Sequence, residues 1–145
     1  MSFQRLYDKP VSVQTLLMDI RSGLGSSKLA AFAAVLDRES ARTFYGDTLG
    51  LRLVSEDSFA LVFDANGTML RISPVAEMTP AKYTVLGWEV PDIVGAVRAL
   101  GDRGVKFERY GFFEQDELGI WTAPGGARVA WFKDPSGNTL SVAQH

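Results

Sequence analysis

Two periodicities divide the chain. From about Pro10 to Leu24 the apolar residues Val13, Leu16, Leu17, Ile20 and Leu24 recur at three- and four-residue steps, the single stripe of an amphipathic helix. Asp8 and Pro10 suit its start, and Gly23 and Gly25 suit its end. The Gly-Leu-Gly-Ser-Ser run at 23–27 reads as a flexible link. After Lys28 the pattern shortens. Leu29–Leu36 is a strand-like run, and Asp37 is placed as the N-cap of a helix over Arg38–Thr48 that turns Ala41, Phe44 and Tyr45 inward and stops at Gly50. Strand-like runs follow at Leu51–Ser55, Phe59–Asp64 and Thr68–Ser73, with the hairpin dipeptide Asn66-Gly67 between the last two.

The same order then recurs. Tyr83–Val90 is strand-like, Asp92 opens a helix carrying Ile93, Ala96, Val97 and Leu100, and Gly104 closes it. Val105–Arg109, Arg128–Phe132 and Thr139–Ala143 complete the series as strands. Asp37 and Asp92 hold matching places 55 residues apart, although the two halves share little identity. The chain is therefore expected to be an α+β protein of two βαβββ modules, at about 28–75 and 82–145, within one domain over 28–145. A helical arm and linker over 1–27 precede it. An insert, Tyr110–Gly126, combines Tyr110, Phe112, Phe113 and Trp121 with Glu114, Asp116 and Glu117. It reads either as a surface loop pinned by its aromatics or as a lid over a cavity.

Composition narrows the chemistry. Hydrophobic residues make up 46% of the 145 and charged residues 22%, enough apolar surface for a single core. The net charge of −2, with Arg38, Arg42, Arg52 and Arg98 scattered singly, argues against a nucleic-acid partner. No apolar run approaches the roughly 20 residues of a membrane-spanning helix. The chain has no cysteine, which excludes disulfides, thiolate metal sites and a cysteine nucleophile and fits a cytoplasmic location. Its one histidine is His145, so a two-histidine metal site cannot be built within one chain, and the residue reads as a solvated terminus. Trp88 and Trp131 read as packing residues and Gly125-Gly126 as a turn. The chain shows no nucleophile elbow, phosphate loop or paired-carboxylate motif.

Two runs carry a family likeness. Val35-Leu36-Asp37, Phe44-Tyr45 and Leu49-Gly50-Leu51 resemble the first-module signature of the glyoxalase/bleomycin-resistance/dioxygenase (vicinal oxygen chelate) superfamily. Trp131-Phe132-Lys133-Asp134-Pro135-Ser136-Gly137-Asn138 resembles its last hairpin. With the repeat, the likeness spans about residues 28–144. It implies a half-open eight-stranded barrel around a cavity, helices outside, and a tendency to form homodimers. It also implies a divalent metal held by histidines, glutamines or glutamates on the first and last strands of each module. Counting from Asp37, Asp92 and Asn138 puts those positions at Ala30, Val85 and Ser141, with the fourth near Arg71, to within one residue. Metal sites need roughly three or four nitrogen, sulfur or carboxylate donors. These four residues do not supply them, so no metal and no other cofactor is expected.

Strand alternation assigns a cavity lining. Thr139, Ser141 and Ala143 face in, as do Met69, Arg71 and Ser73, and Tyr83, Val85, Gly87 and Glu89. The metal-equivalent parity adds Ala30, Phe32 and Ala34. Within this set Arg71 and Glu89 are expected to orient a small molecule, with Phe32, Tyr83 and Trp121 stacking on it and Ser141 nearby. Alternatively Arg71 and Glu89 pair with each other or reach solvent. The expected function is metal-independent binding of a small molecule. The alternatives are a lyase, isomerase or dioxygenase of the same superfamily, either metal-free and using Glu89, Tyr83 or Arg71 or with its metal ligands misaligned, and an assembly module docking through the N-terminal helix.

Overall fold

The computed structural model describes residues 23–145, and the helix expected over Pro10–Leu24 lies outside them apart from Gly23 and Leu24, which stand in a turn. β1 (Ala30–Val35) alternates as the pattern requires: Ala33 and Val35 are buried while Phe32 is 64% exposed. Asp37 then caps α1 (Arg38–Ala41), its carboxylate accepting from the Ser40 amide (2.9 Å) and the Ser40 hydroxyl (2.5 Å). The helix does not continue as one regular α-helix to Thr48. Arg42–Thr48 is wound as a wider π-helix, with the Leu49 amide donating to the Phe44 carbonyl. The wider winding lets two adjacent aromatics, Phe44 and Tyr45, both turn into the core, where their rings meet edge to face at 5.1 Å.

β2 (Arg52–Glu56), β3 (Leu61–Ala65) and β4 (Thr68–Pro74) follow. Asn66 and Gly67 both take positive φ (51° and 94°), the two-residue turn that suits the twist of a hairpin. Glu56 on β2 pairs with Arg38 (3.2 Å) and Arg42, tying that edge strand to the helix beside it. The second module repeats the plan with β5 (Thr84–Glu89), α2 (Ile93–Asp102) capped by Asp92, β6 (Trp121–Thr122), β7 (Arg128–Lys133) and β8 (Thr139–Gln144). Here one expectation changes. Val105–Arg109 is not a strand; it touches β7 through a single bridge, Phe107 to Phe132, and one further bond from the Glu108 amide to the Trp131 carbonyl. The chain then leaves as the insert and returns as Trp121–Thr122 to pair with Val129 and Arg128. The edge of β7 is shared by two short stretches because the insert interrupts what would be one strand.

The strands form two sheets of equivalent order, β1-β4-β3-β2 and β5-β8-β7-β6, with the first and last strands of each module, β1/β4 and β5/β8, adjacent and parallel. These are the two βαβββ modules. One side of each sheet is covered by the helices, and the two covered sides share a single core that includes Val35, Phe63, Leu70 and Ile72 from one module and Ile93, Phe132, Leu140 and Val142 from the other. Phe44 reaches across to Phe132 with ring centres 6.4 Å apart. No helix among the described residues is long and apolar enough to cross a membrane.

The turn between β7 and β8 locks this arrangement. Asp134 is 4% exposed and its carboxylate accepts four bonds: from the Ser136 and Asn138 amides (both 2.9 Å), from Asn138 Nδ2 (2.8 Å) and from the Tyr45 hydroxyl of the other module (2.7 Å). Asn138 Nδ2 also donates to the Ala34 carbonyl (2.7 Å), and the Leu36 amide donates to the Ser136 hydroxyl (2.8 Å). Burial, then the Asp134 charge, push the Tyr45 hydroxyl far above the usual phenol range, so it stays a donor at physiological pH. The Asp-Pro-Ser-Gly-Asn run is thus a clamp between modules as well as a turn. A Tyr45→Phe protein is expected to lose about 1.5–3 kcal/mol, the usual cost of removing a bond to a charged group. Urea unfolding checks this, and an unchanged midpoint would show that the other three donors suffice.

Candidate functional site

With the helix sides sealed, each sheet presents its other side to the surroundings, and Phe32, Met69, Arg71, Gly87 and Ser141 stand there; Val85, expected with them, instead packs against the core, because the register shifts between Thr84 and Leu86. On the first sheet, Phe32 on β1 lies directly across from Arg71 on β4, and Arg71 lies across from Val62 on β3. Met69, one rung away on the same side, is 47% exposed. A groove of about 310 Å³ runs past Ala30, Val54 and Met69. Arg71 is half-buried, and among the described residues its guanidinium has no hydrogen-bond or ion-pair partner. Its charge makes only a small contribution to holding the Asp57 carboxyl below its usual range, after the amides of Phe59 and Ala60. It does not pair with Glu89.

On the second sheet, Ser141 of β8 sits between Gly87 of β5 and Trp131 of β7 and is 7% exposed. A Cβ at position 87 would lie 2.8 Å from the Ser141 hydroxyl oxygen, so the glycine is what leaves room for that hydroxyl. Tyr83 precedes β5 and is 72% exposed. Trp121 on β6 is half-buried. Glu89 is exposed and engaged: one oxygen accepts from the His145 amide (2.8 Å) and the other meets His145 Nδ1 (2.6 Å). The His145 amide, then its ring, hold the Glu89 carboxyl below its usual range. His145 is solvated, as expected, yet engaged with Glu89, and Glu89 has the opposite of the raised pKa that a general base near neutrality needs.

Register places Arg71 at the fourth of the expected positions. Phe32 on the first strand of one module faces Arg71, and Gly87 on the first strand of the other faces Ser141, although a register shift between Thr84 and Leu86 leaves Val85 without the paired partner that Ala30 has in Met69. Arg71 and Ser141 therefore hold the same rung in the two sheets, and the neighbours of Arg71, Leu70 and Ile72, are buried on the covered side. The set Ala30, Arg71, Val85 and Ser141 offers one hydroxyl and a repelling cation, which does not fit a divalent ion. Among the described residues no three His, Cys, Asp or Glu side chains come together.

Residues that the sequence pattern had placed elsewhere also stand here. Trp88 packs, as expected, against the core and lines an apolar hollow with Leu49, Val90 and Leu100. Trp131 does not. Its strand neighbours Ala130 and Phe132 are fully buried, and by alternation it projects to the open side. There it joins Trp121 and three aromatics of the insert. Phe113 stacks on Trp121 (4.5 Å, 30°) and on Trp131 (5.3 Å, 5°), and Tyr110 meets Trp131 edge-on. Applying to β7 the alternation used for β8 would have found Trp131; nothing local points to Phe113. The site residues thus form two groups, Phe32 with Arg71 on one sheet, and Tyr83, Glu89, Trp121 and Ser141 on the other. No hydrogen bond, ion pair or ring contact joins the two groups among the described residues.

Comparison with known proteins places this arrangement. The model of the glyoxalase/bleomycin resistance protein/dioxygenase superfamily matches residues 29–142. A bleomycin-binding protein solved with bleomycin superposes with a TM-score of 0.64 at 19% identity, covering 83% of this chain and 99% of that one. A member of the superfamily from Sphaerobacter thermophilus DSM 20745 gives 0.61 at 25% identity, over 81% and 97% of the two chains. A lactoylglutathione lyase from Agrobacterium tumefaciens gives 0.62 at 16%, over 82% and 93%. No curated protein matches the sequence.

The Glu89–His145 contact has a titration signature. A carboxyl whose folded pKa is depressed contributes stability above its unfolded pKa, and that contribution fades as pH falls through the folded value. Deleting His145 is expected to return the Glu89 carboxyl, followed by carbon-detected NMR, upward to the ordinary glutamate range; an unmoved titration would assign the depression to another cause.

Proposed function

The chain belongs to the glyoxalase/bleomycin resistance protein/dioxygenase superfamily, and on that premise we propose that it is a metal-independent protein that binds a small molecule against the open sides of its sheets. The observation that carries the proposal is the pair of matched rungs: where the family holds metal ligands, this chain presents the guanidinium of Arg71 and the hydroxyl of Ser141. A half-buried guanidinium without a carboxylate partner is suited to an anionic group, which it can bind through two parallel bonds. Phe32 beside it and Trp121 on the other sheet supply flat apolar surface, the usual lining of a small-molecule site. Tyr83 and Ser141 add hydroxyls, and Glu89 a carboxylate at the rim. The bleomycin-bound relative supports this reading, because there the same fold holds a small molecule.

The same geometry supports a homodimer. Within one chain the two open sides face away from the shared core, so Phe32 and Arg71 do not meet Trp121 and Ser141. A second copy, laying its second sheet over the first sheet of its partner, would bring both groups around one cavity. It would also cover Phe32, Val54 and Met69, which a lone chain leaves exposed. A chain without cysteine is compatible with a reducing compartment such as the cytoplasm. Acid–base chemistry through Glu89 is disfavoured, since His145 occupies that carboxylate and lowers its pKa.

Native mass spectrometry on freshly purified full-length protein tests the proposal. The expected spectrum is a dimer with no stoichiometric divalent metal and with the mass of a retained small molecule. Arg71→Ala is expected to weaken retention by roughly 10- to 100-fold, the scale of a lost charge-assisted bond, without changing the dimer. A stoichiometric metal whose removal by chelator abolishes binding would overturn metal independence. A monomer at micromolar concentration would overturn the shared cavity.

A further inference from the structure

The aromatic cluster on the second sheet is built unevenly. Trp121 and Trp131 stand on paired strands, Trp121 opposite Val129 and Trp131 opposite Ser141, and the Trp131 indole N–H donates to the Thr84 hydroxyl (3.2 Å). Strand pairing sets the backbone under both rings, and the bond to Thr84 holds the Trp131 ring. The insert that carries Phe113 is firm only at its base. The Gln115 side chain accepts from the Tyr110 amide and donates to the Glu108 and Gly119 carbonyls, and Asp116 accepts from the Leu118 and Ile120 amides. The tip, Gly111–Glu114, lies outside that network. One backbone bond, from the Phe113 amide to the Tyr110 carbonyl (3.1 Å), and the ring contacts hold it down. Phe112 at the tip is 78% exposed.

We infer that Trp121 and Trp131 form the recognition platform for a planar aromatic ligand, and that Phe113 is the chain's own occupant of that platform, displaced when such a ligand binds. The Phe113 ring lies almost parallel to Trp131 and stacked on Trp121, both within the 4.5–7 Å range in which arenes attract one another. It therefore occupies the position any flat ring would take. Neither tryptophan is needed by the core, which Ala130 and Phe132 fill from the other side of the strand. Lifting the tip gives up one backbone bond and its ring contacts while the Gln115 and Asp116 anchors stay intact. The Ser141 hydroxyl, cleared by Gly87, then stands beside Trp131 to meet a polar edge of the incoming ring. The inference rests on the small-molecule reading above and narrows the ligand to a flat arene.

Calorimetric titration of the full-length protein with naphthalene-2-carboxylate and with its saturated counterpart, decahydronaphthalene-2-carboxylate, tests it, because the two share size and charge and only one is flat and aromatic. The aromatic acid is expected to bind about tenfold tighter or better, the scale of stacking on two rings. Phe113→Ala, at a tip outside the core, is expected to tighten it a further three- to tenfold or so by removing the competitor. Phe113→Trp is expected to weaken it by a similar factor, with circular dichroism confirming both folds. An affinity unchanged or lowered in F113A makes Phe113 a clamp or part of the binding surface and overturns the inference. Equal binding of the two acids, lost in R71A, removes the aromatic platform and leaves small-molecule binding standing. No binding of either acid to the wild type or F113A overturns both.

Discussion

Asp134 is a carboxylate taken out of water, and a buried charge is tolerated only where donors surround it. Two donors come from its own turn, a third from Asn138, and the fourth is the Tyr45 hydroxyl, 89 residues earlier in the chain. That last bond makes the turn a joint. It draws the π-wound segment of the first module against the β7–β8 hairpin of the second, and Asn138 and Ser136 add bonds to the end of β1. The wide winding of Arg42–Thr48 belongs to the same constraint, since it lets Phe44 fill the space above Phe132 while Tyr45 reaches the carboxylate.

Once the covered sides of the sheets are committed to this joint, the open sides are left for function. A sheet side given over to solvent alone would carry short polar residues. These sides carry Phe32, Met69, Trp121 and Trp131, with the Arg71 guanidinium among them, which has no hydrogen-bond or ion-pair partner among the described residues. The two modules answer each other rung for rung, yet their side chains differ: a cation beside an aromatic on one sheet, and a hydroxyl beside a glycine and a tryptophan on the other. The fold's duplicated geometry is kept while the matched positions carry side chains of different chemistry, the observation on which the proposed metal-independent binding rests.

Much of the fold was legible in residues close together in the chain. Asp37 and Asp92 cap the helices expected of them, Asn66-Gly67 turns the hairpin, and alternation places Ala33, Leu70 and Leu140 on the covered side and Phe32, Arg71 and Ser141 on the other. The misreadings share a cause. Val105–Arg109 has the composition of a strand, but an insert takes part of its pairing edge. The contact of His145 with Glu89 could not be read locally because the two lie 56 residues apart. Trp131 looked like core because size and hydrophobicity do not say which side of a strand is covered.

Residues near one another in the chain set the local vocabulary of this protein: its caps, turns, most of its strand parity and its duplicated order. Each of these follows from interactions within a few residues, or from residue chemistry alone. Only the tertiary structure decided which side of each sheet is sealed, that Arg71 and Ser141 share a rung, that Glu89 is claimed by His145 and that Phe113 lies on two tryptophans. Those outcomes depend on which distant surfaces dock and which buried charges find donors. A periodic pattern can name two faces of a strand, but the energy that chooses between them comes from partners far along the chain.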